Sequence, residues 1–194
     1  MNNHGEQSPG CTIDSLKYQI AVYEDPAAYK TLFFTLFPSL QNFAYAILRS
    51  RQVAEETASD ALMEVWIRRK KLMEIENLKF YLFTAVKNGA LRKMKQENRA
   101  GRISLDSLDT EIVSGYSTPE EHLHTTELER ELHNAIQQLP PRCRIIYKLA
   151  KEDKLRYAEI SDLLGVSIKT IDNQLSIALQ KIADTIRITR RKKQ

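Results

Sequence analysis

Apolar residues recur at three- and four-residue steps along most of the chain, and strict alternation of apolar with polar positions is nowhere sustained. From Tyr23 to Lys95 one stripe runs through Phe33, Phe34, Leu36, Phe37, Leu40, Phe43, Ala44, Ile47 and Leu48. A second collects Ala58, Ala61, Leu62, Val65 and Trp66, on a helix expected over residues 54 to 69. Its Glu55 and Glu56 are expected in the first turn, where the helix dipole favours anions. A third runs through Phe80, Phe83, Val86, Leu91 and Met94. The pattern predicts an all-α chain.

The period fails twice. Residues 1 to 18 are polar and contain Gly5, Pro9 and Gly10, so the N-terminus to about residue 23 reads as a loose extension. Residues 99 to 118 collect Gly, Ser, Thr and Asp and read as a flexible linker. Helix resumes after it, with Thr118 as cap, Pro119 at the first helical position, and an apolar side of Leu123, Leu128, Leu132, Ala135, Ile136 and Leu139. Pro140 and Pro141 end that helix. The division is therefore an extension (1–23), a helical unit (24–98), a linker (99–118), a second helical unit (119–188) and a basic tail (189–194).

Composition removes several function classes. The 194 residues are 42% hydrophobic and 28% charged, which suits folded domains and excludes a low-complexity scaffold. The six glycines never come within four residues of one another, so no glycine-rich phosphate cradle is available. Two cysteines, Cys11 and Cys143, are too few and too far apart for a disulfide framework or a thiolate zinc site, and a reducing cytoplasmic home is expected. No leader and no membrane span are read from the apolar runs. His122, His124 and His133 do not share a helix face, so no metal site is assigned. No Ser, His and Asp set has a nucleophile context. Neither a catalytic residue nor a cofactor is expected.

The net charge of +4 is small, and its distribution matters more. Each helical unit carries about +3: twelve cations against nine anions over 24–98, and fourteen against eleven over 119–194. Within the first unit, Lys87, Arg92, Lys93 and Lys95 follow the aromatic residues Phe80, Tyr81 and Phe83. Rings interleaved with amides and cations are what a surface holding unstacked single-stranded bases needs. The same residues also suit an ordinary amphipathic helix, whose rings face the core.

The most specific local signal lies near the C-terminus. In LRYAEISDLLGVSIKTIDNQLSIALQKI, residues 155 to 182, Tyr157 to Leu164 forms a short helix and Gly165 supplies a left-handed turn. Val166 packs inward and Ser167 caps a second helix from Ile168, as a helix-turn-helix requires. At 100° per residue Ile168, Ile171, Leu175, Ala178, Leu179 and Ile182 share the inner side. Lys169, Thr170, Asn173, Ile177, Gln180 and Lys181 project outward, with Gln174 at the edge. An ammonium, a hydroxyl and amides are the groups that reach phosphates and base edges in a major groove.

With that motif placed, the chain resembles the extracytoplasmic-function class of the sigma-70 family of RNA polymerase initiation factors. AEETASDALMEVWIRRKKL (54–72) looks like the region 2 helix that docks on the polymerase β′ coiled coil. NLKFYLFTAVKNGALRKMKQ (77–96) looks like the segment that melts and reads the promoter −10 element. LPPRCRIIYKLAKEDKLRYAEISDLLGVSIKTIDNQLSIALQKI (139–182) looks like region 4, which reads the −35 element and meets the β flap.

The resemblance implies site residues. Glu56, Asp60, Leu62, Met63 and Trp66 would bind core polymerase, while Ser59 departs from the Gln common there. Asn77, Lys79, Phe80, Lys87, Asn88, Arg92 and Lys93 would meet the −10 strand, with Asn88 on a base and Lys87, Arg92 and Lys93 on phosphates. Ser167, Lys169, Thr170, Asn173, Gln174, Ile177 and Lys181 would meet the −35 element. It also implies an anti-sigma factor as a partner and no small-molecule substrate. Two readings stay open beside it: a dimeric helix-turn-helix regulator with a helical sensor domain, and a helical enzyme or adaptor.

Overall fold

The computed structural model describes residues 12–96 and 127–192. Among these residues every regular element is helical: α1 (Ile13–Tyr23), α2 (Pro26–Leu48), α3 (Arg51–Ile67), α4 (Leu78–Gln96), α5 (Glu127–Gln137), α6 (Pro141–Tyr147), α7 (Tyr157–Leu164) and α8 (Ile168–Lys192). The expected linker, the Thr118–Pro119 helix start, Cys11, His122 and His124 lie outside the described residues.

The first unit is built by caps and stripes. Thr12, Asp25 and Ser50 each accept a backbone N–H in the first turn of α1, α2 and α3, so each helix begins at a side-chain oxygen. Because Ser50 is the cap, α3 starts at Arg51, three residues before the expected position, and Glu55 and Glu56 fall in its second turn. Those two carboxylates therefore lie beyond the turn in which the helix dipole acts, contrary to expectation.

Residues 13–23, expected as loose chain, form α1. Leu16 and Ile20, one turn apart, are buried, and the Lys17 ammonium donates to the Ile75 carbonyl at 2.8 Å. That bond fastens α1 to the turn that leads into α4. The helix α2 is long and apolar enough to cross a membrane by composition, but half of that stretch is buried against α1, α3 and α4 as the central core helix.

In the second unit, α5, α6 and α8 enclose a small core of Ala135, Ile136, Leu139, Cys143, Ala178 and Ile182. Helix α6 runs into a π turn over Lys148–Glu152, which ends at Asp153 and a left-handed Lys154. A π turn and a left-handed non-glycine residue are local irregularities of the kind concentrated at functional positions. The helix-turn-helix follows: α7 spans the expected residues, Gly165 has φ +67°, and Ser167 Oγ accepts the Thr170 N–H at 3.0 Å. On α8, Ile168 and Leu179 are about half exposed, although the helical wheel put them inside. Helix α8 reaches Lys192, so residues 189–192 of the expected tail are helical.

The two units share one core. Ile145, Ile146, Leu149, Leu155 and Leu163 belong to the same buried cluster as Phe43, Leu82 and Phe83. A cavity of about 30 Å³ lies in this contact, between Ser39, Phe43, Ala46 and Phe83 on one side and Ile145, Leu149 and Asp153 on the other.

Candidate nucleic-acid interface

On α8, Lys169, Asn173, Ile177 and Lys181 are exposed on one face, as expected. Lys169 stands 3.9 Å from Asp172, an exposed pair of little energetic weight that leaves the ammonium available. The Ser167 and Thr170 hydroxyls lie 2.9 Å apart at the start of the helix. Gln174 is different: its Oε1 accepts the Cys143 thiol hydrogen at 3.0 Å, across the α6–α8 contact. It holds the recognition helix in place and is withdrawn from the outer face. Burial raises the Cys143 thiol above its ordinary range, which keeps it protonated and able to donate.

Helices α3 and α4 run against each other at close range. A Cβ built on Gly89 would come 3.1 Å from Thr57 Cγ2, so the absent side chain permits this approach. Beside the contact opens a groove of about 1010 Å³, lined by Asp60 and Glu64 from α3, by Arg68 just after it, and by Tyr81, Asn88 and Arg92 from α4. Asn88 and Arg92 are exposed there and Lys87 is half-buried. Lys93 is occupied: its ammonium lies 3.0 Å from Glu56 and 3.7 Å from Asp60. The cation assigned to phosphate thus joins α4 to the acidic strip of α3.

Of the five residues assigned to polymerase, Glu56, Asp60 and Met63 are exposed. Leu62 is fully buried, so it supports the helix from inside and presents no surface to a partner. Trp66 is partly buried. Its ring lies 5.1 Å from that of Tyr29, and the Arg69 guanidinium sits 4.8 Å above it. Arg69 also bonds Glu24 at 2.7 Å, and that guanidinium lowers the Glu24 carboxyl.

Two residues assigned to the −10 strand are engaged by the second unit. The Asn77 amide donates to Glu159 Oε1 at 2.7 Å, and its own oxygen caps the Phe80 N–H at 3.1 Å. The Lys79 ammonium donates to the Asp153 carbonyl at 2.8 Å. Phe80 is half-buried and packs on the core. Sequence reasoning missed Asp153 and Glu159, because Asp153 in KEDK reads as a solvated charge run and Glu159 as a first-turn anion. In the fold both are buried. Glu159 Oε2 accepts the Arg156 N–H at 2.8 Å and its Oε1 accepts from the guanidinium, which together with Asn77 hold the carboxyl below its ordinary value against the cost of burial. Among the described residues no cluster of His, Cys, Asp and Glu could hold a metal ion.

Fold and surface together define an all-α protein with a capped helix-turn-helix behind a basic, groove-bearing helical unit. Residues 32–100 match the family described as Sigma-70 region 2, and residues 129–182 match Sigma-70, region 4. The two matches together span more than half of the chain, which belongs to the sigma-70 family. A curated relative, the ECF RNA polymerase sigma factor SigE of Mycolicibacterium smegmatis, is 29% identical over 89 residues. That stretch covers 44% of this chain and 35% of the relative, so the match spans about a third of the relative's length. A solved structure, the sigma factor RpoE of Bartonella quintana in complex with the anti-sigma factor NepR, has the same fold. It shares 24% identity and a TM-score of 0.50, covering 82% of this chain and 97% of the other.

Proposed function

We propose that the chain is a dissociable initiation subunit that binds core RNA polymerase and directs it to promoters by their −35 and −10 elements. The observation that carries this reading is the pairing of two surfaces, an exposed recognition face on α8 and a groove on α4 holding Asn88 and Arg92, within the two matched sigma regions. Lys169, Thr170, Asn173, Ile177 and Lys181 read or hold the −35 duplex, with Ser167 setting the helix start. Asn88 meets an extruded −10 base, and Lys87 and Arg92 hold its phosphates. Glu56, Asp60, Met63 and the edge of Trp66 face the β′ coiled coil, and the second unit meets the β flap.

A net charge of +4 is too small for tight independent DNA binding. Specificity then arises when polymerase holds both units at fixed spacing, so that each raises the effective concentration of the other. Catalysis belongs to the polymerase, in the cytoplasm. An anti-sigma factor is the regulatory partner, as in the Bartonella complex.

Run-off transcription with purified core polymerase and a promoter library tests the whole reading; a chain that directs no initiation, or that binds palindromes as a dimer without polymerase, overturns it. Asn173→Ala is expected to reduce −35-dependent initiation by about 5- to 100-fold, the range for one lost base contact, with polymerase affinity unchanged. Equal loss of polymerase binding would remove Asn173 from DNA. Asp60→Arg is expected to weaken capture of core polymerase at least about tenfold, since a cation replaces an anion facing a basic partner and also faces Lys93. An unchanged pull-down would move the docking surface off α3.

A further inference from the structure

The acidic strip on α3 is not a row of independent charges. Glu56 and Asp60 stand one turn apart on the same face, a spacing at which two carboxylates repel each other. Between them lies the Lys93 ammonium of α4, 3.0 Å from Glu56 Oε2 and 3.7 Å from Asp60 Oδ2. Both carboxylate side chains are 63% exposed, whereas that of Lys93 is 22% exposed and its nitrogen is enclosed. A cation therefore sits on the inner side of the pair, and the outer side faces solvent. We propose that Lys93 is a positioning residue for polymerase docking, which draws Glu56 and Asp60 together into one acceptor for an arginine of the basic partner.

The fold sets this arrangement from both helices. Thr57, next to Glu56, meets α4 at Gly89, where an added Cβ would come 3.1 Å from Thr57 Cγ2. Lys93 lies one turn beyond Gly89, so the close approach of α3 and α4 delivers the ammonium beneath the two carboxylates. Its contacts with them are ionic and are not aligned hydrogen bonds. Among the described residues no other group meets either carboxylate, which leaves Glu56 Oε1 and Asp60 Oδ1 for a partner.

Without an inner cation the two exposed carboxylates would splay, and a partner would have to order both side chains on binding. With Lys93 in place that ordering is complete in the free chain. Arginine offers parallel N–H donors in a planar fork, and so fits two oxygens held side by side better than lysine does. Phosphate binding would require Lys93 to leave its enclosed place and both carboxylates, so this cation serves protein docking, and phosphate is left to Lys87 and Arg92. The inference rests on the polymerase-docking reading above. It adds that α4 contributes to the docking surface by acting through α3.

Capture of purified core polymerase by the full-length chain tests this, with Lys93→Met, which keeps an apolar stem of similar length and removes the charge. The variant is expected to bind core polymerase about threefold or more weakly, within the range of coupling between neighbouring groups, although the net anionic charge facing the partner rises. Its thermal midpoint should stay within about 3 °C of wild type, since the carboxylates left behind are open to water. Lys93→Arg should restore capture, and in a Glu56→Gln background Lys93→Met should cost less than it does alone. Promoter binding by preassembled, saturated holoenzyme should keep the wild-type salt dependence. Unchanged or tighter capture by Lys93→Met, losses that multiply with Glu56→Gln, or no restoration by Lys93→Arg overturns the proposal. So does a larger fall in midpoint, which would make Lys93 a stability residue, or a salt dependence lowered by about one ion, which would return it to phosphate. A wild-type chain that captures no core polymerase would instead remove the docking reading itself, and this inference with it.

Discussion

Phe83→Ala is expected to destabilise the protein by about 3–5 kcal/mol and to lower its thermal midpoint by roughly 10 °C. Phe83 is fully buried, its ring stands edge-on to Phe43 at 5.3 Å between centroids, and it lines the contact between the two helical units. Removing the ring therefore opens a void from which neither unit can easily withdraw: α4 is held to α3 by the close approach at Gly89, and α6 is held by its own core. The reference is Phe34→Ala, an exposed aromatic on α2 whose loss should change stability by no more than about 0.5 kcal/mol. Thermal denaturation of the two variants side by side decides the matter. Equal midpoints would mean that Phe83 does not occupy the centre of the shared core.

Asp153 is expected to make stability depend on pH with the opposite sign to that of a salt-bridged carboxylate. Burial raises its pKa from 3.8 to about 6, against the Ser39 hydrogen bond and the nearby Lys79 and Lys148, with Glu152 pushing the same way as burial. The folded chain thus holds a proton on this carboxyl more tightly than the unfolded chain does. The stabilisation is fully present below the ordinary value, declines as pH rises through about 6, and stays lost above it. A shift of this size corresponds to about 3 kcal/mol.

Asp153→Asn keeps the shape and cannot ionise. The variant should be more stable than the wild type at pH 7.5, by up to about 3 kcal/mol, with the gap closing toward pH 4. Urea denaturation of both proteins at several pH values measures the difference directly, so carboxyls that are lowered in both, such as Glu24 and Glu159, cancel. A gap that does not change with pH would place the Asp153 carboxyl in water.

The helix-turn-helix was legible from sequence because every part of it is local. A glycine at a left-handed turn, a serine three residues before the N–H that it caps, and stripes at helical spacing need no distant partner, and α7 begins and ends where the pattern puts it. Where the local signal was thin, the expectation failed. Helix α1 fully buries just two apolar side chains, Leu16 and Ile20, with Ile13 and Ala21 packed beside them, behind a glycine- and proline-containing stretch, so its order depends on α2 and on the turn that receives Lys17. Periodicity alone starts α3 three residues late because Arg51, Gln52 and Val53 carry no apolar period, while the cap that sets it is Ser50.

Side-chain assignments divide in the same way. Asn173, Lys169 and Lys181 lie outward because helical geometry alone decides that face. Leu62 and Gln174 lie inward because packing partners on other elements claim them, and Lys93 turns to Glu56 and Asp60 because α3 brings two carboxylates within 4 Å of it.

The sequence by itself determined that the chain is helical, that it has two helical units, and that the second carries a capped turn of DNA-binding type, since these follow from periodicity and caps within one or two turns of helix. Only the tertiary structure decided that the units close on each other. Hydrogen bonds from Asn77 to Glu159 and from Lys79 to Asp153 join groups more than seventy residues apart, and burial at that contact changes what Asp153 can do. Such pairings depend on how whole helices stack, a property that no short window of residues contains.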